Sequence, residues 1–183
     1  MRILRPLLLL VGLLACAATA LADQKNGDLP DLFGKLKLAS SPQQAVMIEA
    51  EIWKKWYERE SSGGGASMTE AVEAMGAGRY TIALNLLNNL VSEQPDFAEA
   101  WNRRATIHYL LGNYDDSLAD IEQTLTLEPR HFGALSGIGL IMQQLGENEK
   151  ALHAFEQVLE ISPQNVGAAK SVKDLETKLG TSI

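Results

Sequence analysis

The residues in this 183-residue chain best equipped for chemistry are three histidines, His108, His131 and His153, and one cysteine, Cys16. Two histidines one helical turn apart could grip a metal ion. These three instead fall in separate segments, which read as a helix, a loop and another helix. There is no HExxH run, no nucleophile elbow and no phosphate-cradling glycine loop. The Gly63 to Gly65 run lacks a strand before it and a lysine after it. Asp115-Asp116, and Glu147 with Glu149, stand where helices should begin, and there a carboxylate opposes the positive end of the helix dipole. The expectation is therefore no catalytic residue, no metal and no cofactor.

Composition narrows the class further. Hydrophobic residues make up 46% and charged residues 21%, enough to build a core and too few charges for a disordered tail. The net charge of −7 argues against nucleic acid, which would need a basic face to meet phosphate. A single cysteine rules out a disulfide framework.

Residues 1–22 read as an export signal. Arg2 and Arg5 give a basic start, Leu7 to Ala18 is an apolar run, and Ala20-Leu21-Ala22 supplies small residues for cleavage. The run is shorter than a spanning helix needs, and Asp23 follows it. Cleavage after Ala22 would release a periplasmic or secreted product with no transmembrane span, and its charge would move from −7 to −9 with the loss of Arg2 and Arg5. The alternatives are a lipoprotein anchored through Cys16, since Leu13-Leu14-Ala15-Cys16 has the outline of a lipidation box, and an uncleaved anchor.

Internal repetition sets the architecture. Pro95, Pro129 and Pro163 recur with period 34, as do Gly78, Gly112, Gly146 and Gly180. Small residues recur at Ala71, Ala105 and Gly139, and at Ala83, Ser117 and Ala151. Large apolar residues recur at Leu87, Ile121 and Phe155, and at Val91, Leu125 and Leu159. Each column has a physical task. Small residues let two helices cross closely, glycine ends the first helix in a left-handed conformation, and proline ends the second. The first helix of each repeat is expected over 68–77, 97–111 and 132–145, and the second over 80–93, 115–127 and 148–161. Ser67-Met68-Thr69-Glu70 reads as a capping box at the first start.

The best copy, Ala98 to Pro129, carries Trp101, Ala105, Gly112, Tyr114, Ser117, Ile121 and Pro129, and with it the chain resembles the tetratricopeptide repeat (TPR) family. The resemblance implies an all-α solenoid of three helix-turn-helix repeats, over 64–97, 98–131 and 132–165. A C-terminal capping helix over 166–183 follows. In that last helix Lys173 takes the close-contact position, which suits a terminal element with a polar outer face. Arg104 and Asp120 stand where the next repeat has Ile138 and Ala154. Two charges appearing together in one repeat suggest a semi-buried ion pair within it. His108 occupies a column the family usually fills with tyrosine, so it is expected to be a packed ring.

Residues 23–63 do not fit the repeat. Asp28-Leu29-Pro30 and Ser41-Pro42 read as two helix starts, the second helix running to about Glu60. Ala45, Ile48, Ile52, Trp53 and Trp56 give the second helix an apolar stripe. Ser61 to Gly65 reads as a hinge. Three destinations suit the stripe: the open end of the first repeat, the concave groove, or a homodimer or partner surface through Trp53 and Trp56.

In TPR arrays the first helices line a concave surface that takes peptides, and the resemblance assigns that surface here column by column. Asn102, Arg103, Thr106, Tyr109, Leu140, Gln143 and Gln144 are the candidate partner-binding residues, with Thr69, Val72, Met75, Glu99, Leu110 and Ser136 beside them. Asn102 and Gln143 could satisfy a peptide backbone, Tyr109 and Leu140 offer apolar contact, and Arg103 offers a charge. The family's clamp for chaperone tails requires an asparagine where Thr106 stands, which argues against that partner class. The reading is a non-enzymatic scaffold or assembly factor of the bacterial envelope that binds a protein or peptide. A holding chaperone for exported clients is the alternative.

Overall fold

The computed structural model describes residues 27–58 and 65–180, which form helices and short turns with no strand among them. Ser61 to Gly64 of the expected Ser61 to Gly65 hinge, the export segment and the last three residues lie outside the described part, and Gly65 is the first residue of a helix. Helices α1 (Leu29–Lys37) and α2 (Pro42–Glu58) form a hairpin. Three repeats follow: α3 (Gly65–Gly76) with α4 (Tyr80–Glu93), α5 (Ala98–Leu110) with α6 (Tyr114–Leu127), and α7 (Phe132–Gln144) with α8 (Asn148–Ile161). Helix α9 (Val166–Leu179) closes the array.

The repeat columns do what their residue types require. Gly78, Gly112, Gly146 and Gly180 all adopt positive φ between 70° and 77°, with no Cβ to strain, and the first three reverse the chain between the two helices of a repeat. At Gly139 a Cβ would lie 2.6 Å from the Phe155 ring, so α7 and α8 approach to a distance only glycine permits. Asn165 accepts the Ala168 N–H to cap α9, and Gly180 ends it. Lys173 is exposed on that helix. One boundary differs from the sequence reading. Helix α3 begins at Gly65, ahead of the Ser67 box, so the box lies inside the first turns instead of opening the helix.

First helices touch one another along the array, α3 with α5 and α5 with α7, and so form the inner face. The hairpin does not stack on the open end of the first repeat. Its core residues Leu32, Leu36, Ile52 and Trp56 join Phe132, Leu135, Phe155 and Val158 in one buried cluster with the third repeat. Glu49 accepts hydrogen bonds from Ser162 Oγ (2.8 Å) and Asn165 Nδ2 (2.9 Å), which fixes α2 to the loop before α9. The hairpin therefore runs along the ends of repeats two and three, beside the starts of their first helices.

Candidate functional site

The inner face is organised by one carboxylate. Glu99 lies in the first turn of α5, in a column that holds glycine at 65, 133 and 167, and it is only 1% exposed. Three donors converge on it: Arg103 Nε at 2.6 Å, Asn102 Nδ2 at 3.1 Å and His131 Nε2 at 3.1 Å. His131 is fully buried and caps α7, its Nδ1 accepting the Ala134 N–H at 3.1 Å. An accepting Nδ1 carries no proton, so the ring proton sits on Nε2 and faces the carboxylate. Burial alone would push the Glu99 carboxyl up, but the His131 hydrogen bond and the Arg103 charge outweigh it and hold Glu99 below the usual carboxylate range.

The hairpin closes over this network. The Trp56 ring stacks on His131 with centroids 4.1 Å apart, and Trp53 meets the His131 and Phe132 rings edge-on. The Arg103 guanidinium lies over both Trp53 (5.5 Å) and Tyr57 (5.2 Å). A Cβ on Gly133 would come within 2.8 Å of the Trp53 ring, so the α7 start is shaped to receive that side chain. The tryptophan pair is accordingly packed within the chain, with Trp56 buried, and does not present the dimer surface considered from sequence. Arg103 is engaged within the chain as well: its Nε donates to Glu99 and its planar face lies over two rings, while its side chain stays 25% exposed.

The other candidates divide by position along the helices. Asn102 is buried and holds Glu99. One turn further on, Thr106, Tyr109 and Leu140 face a cleft of about 120 Å³ between α5 and α7, which Asn102, Gly133 and Gly137 also line. Gln143 is half-buried, and Gln144 and Leu110 are exposed near the same end. Thr69 is exposed, and Val72 and Met75 are half-buried on α3. Tyr109 packs against Tyr114 with ring centroids 5.9 Å apart. The structure thus brings Asn102, Thr106, Tyr109 and Leu140 together and separates Arg103 from them.

Arg104 does pair with Asp120, through two parallel bonds of 2.8 and 2.6 Å, and adds a 2.9 Å bond to Asn88 Oδ1. Its guanidinium also lies 4.8 Å from the Trp101 ring centroid. In the next repeat Ile138 takes the Arg104 column and lines a shallow hollow of about 350 Å³ with Leu118, Glu122 and Leu125. His108 is half-buried, its Nε2 4.0 Å from the same Asp120, while His153 is exposed. Among the described residues no group of three His, Cys, Asp or Glu side chains could hold a metal ion, and no helix is long and apolar enough to cross a membrane.

Sequence comparison agrees with this geometry. Two tetratricopeptide repeat families match, over residues 68–123 and 96–164. A TPR repeat-containing protein of Rhizobium etli is 38% identical over 134 residues, covering 70% of this chain and 66% of its own length, so the chain spans just under two thirds of that relative. Among solved structures, the first TPR of Spaghetti (RPAP3) bound to an HSP90 peptide superposes with a TM-score of 0.61 at 20% identity, over 64% of this chain and 93% of that one. MamA superposes with a TM-score of 0.61 at 18% identity, over 76% and 80%. Those two likenesses are of fold. With the period-34 columns and the left-handed turn glycines, the two family matches and the Rhizobium etli relative place the chain in the tetratricopeptide repeat family.

Proposed function

We propose that this chain is a non-enzymatic adaptor that holds a segment of another protein in the open part of its inner face, between α5 and α7. The observation that supports it is the division of that face. Arg103 and Asn102 are engaged with Glu99, whereas Thr106, Tyr109 and Leu140 border an unfilled cleft. A scaffold of this kind would capture one partner stoichiometrically. A holding chaperone would bind many unfolded segments and suppress their aggregation. Its site of action is the bacterial envelope, reached by an export signal cleaved after Ala22. Intact mass of the exported product tests this, and a mass matching a chain that starts at an acylated Cys16 would overturn it.

The adaptor reading is tested by pull-down from an envelope extract with the wild-type chain and with Tyr109→Ala plus Leu140→Ala. Loss of one stoichiometric partner in the well-folded double variant is expected, and unchanged capture would contradict it. A second reading places the partner on the outer face of the hairpin, where Leu38, Val46 and Met47 are exposed at 83%, 59% and 69%. Those residues, and not the packed tryptophans, would carry an N-terminal contact.

A further inference from the structure

Two successive repeats carry different groups at one set of columns beside their second helices. In the second repeat Arg104 reaches from α5 to Asp120 on α6 and donates to Asn88 Oδ1 on α4. One period on, the Arg104, Asp120 and Asn88 columns hold Ile138, Ala154 and Glu122. The first set contains one cation and one anion; the second contains an anion alone. Isoleucine is too short to span the gap that Arg104 spans, and there the hollow of about 350 Å³ opens. It runs along α6 and is bounded by Leu118, Ile121, Leu125 and, from α7, Ile138, with Glu122 and Thr126 beside them. Leu118 and Leu125 stand in the Leu84 and Val91 columns, so the walls keep their apolar character while the filling residue changes.

Glu122 is exposed and has neither an ion pair nor a side-chain hydrogen bond among the described residues. Thr126 Oγ1 donates to Glu122 O at 2.9 Å, which leaves its lone pairs to accept. An acidic guest in the hollow would be repelled by Glu122. A purely aliphatic one would suit the walls but take water from the carboxylate and return nothing. A side chain with an apolar stem and a cationic head answers both surfaces. Of the two such side chains, arginine has the planar fork that can donate to a carboxylate and a hydroxyl together. We propose that this hollow is a docking point for an arginine side chain of a partner polypeptide. Its stem lies against Leu118, Leu125 and Ile138, and its guanidinium meets Glu122. The partner thus supplies from outside the group that Arg104 supplies from within one repeat earlier. This contact is separate from the cleft between α5 and α7, and its failure would leave the adaptor reading standing.

The test titrates the full chain, methyl-labelled at Ile and Leu for NMR, with short capped alanine-rich peptides carrying one central arginine, citrulline or glutamate. Citrulline keeps the shape of arginine without its charge. The arginine peptide should move the Ile138 and Leu125 methyl signals and bind about three- to fivefold more tightly than the citrulline peptide, the scale of one exposed ion pair. The glutamate peptide should leave those signals in place. In Glu122→Gln the arginine and citrulline peptides should bind alike. Ile138→Arg with Ala154→Asp rebuilds the second-repeat set within the chain, and the arginine peptide should then no longer move the Leu125 methyls. If melting curves show that this double variant does not fold, Glu122→Gln decides the matter alone, because its side chain is exposed. Equal binding of the arginine and citrulline peptides to the wild-type chain would overturn the proposal, as would an arginine preference that survives Glu122→Gln. Ile138 and Leu125 signals that stay still with the arginine peptide would overturn it too. The same holds if they move with protein concentration alone, which would seat a second copy of the chain in the hollow.

Discussion

The two ends of the inner face are built on the same two first helices, α5 and α7, and have opposite characters. At the start of α5 and α7, charge is concentrated and covered: Glu99, Arg103 and His131 lie under Trp53, Trp56 and Tyr57. One turn along, at Thr106, Tyr109 and Leu140, no charge lines the cleft and nothing in the described chain fills it. A buried carboxylate needs several donors and exclusion of competing water to be stable, and the hairpin provides that cover. A site kept for a partner has the reverse requirement, since any group engaged inside the chain is lost to the partner. The contrast separates residues that face the groove by repeat position from those that remain available within it.

The largest effect on this contrast should come from the cover. Trp56→Ala should destabilise the chain by about 3–5 kcal/mol, read from the urea midpoint, because it empties a packed site and uncovers His131. A change below about 1 kcal/mol would mean the hairpin contributes little to the fold. Next comes Arg103→Ala, expected to cost about 2–3 kcal/mol by leaving Glu99 buried without its cation. Were Arg103 an available groove residue, that substitution would hardly move the melting temperature. Arg104→Ala should cost about 1–3 kcal/mol by stranding Asp120. Arg104→Ile with Asp120→Ala reproduces the next repeat and should recover much of the loss.

Acid gives a further handle on the covered end. Glu99 titrates below the ordinary carboxylate range when folded. Its contribution is therefore fully present above the unfolded pKa and is lost as pH falls through the folded one. The difference in stability between wild type and Glu99→Gln should be constant near neutrality and shrink in acid. A gap that widened in acid would reverse the assigned sign. The smallest effect belongs to the open end, where Tyr109→Ala should cost about 1 kcal/mol or less because the ring is only half-buried.

Much of the fold was legible because each repeat column is set by local geometry. Gly112 must be left-handed and Gly139 must admit Phe155, and both needs are visible as residue types at period 34. The start of α3 was not legible, since Gly65 looks like the end of a hinge and only the fold shows it helical. An apolar stripe on α2 says that the helix docks but not where, because helical spacing carries no address. The covered network left a faint trace. Glu99 interrupts a column otherwise glycine at 65, 133 and 167, and His131 stands at the cap of α7. A charge where its column has no side chain points to a specific internal partner. The resemblance to a family places Arg103 in the groove, and only the fold shows it bonded to Glu99 beneath two rings of α2.

The central claim is that partners meet the open end of the inner face and not the hairpin. A photo-cross-linking side chain placed at Leu140, and separately at Met47 on the exposed face of α2, tests it in cells that produce the full chain. Irradiation should give a discrete adduct with another protein from Leu140 and none from Met47. An adduct from Met47 with Leu140 silent would contradict the account and place the function on the hairpin.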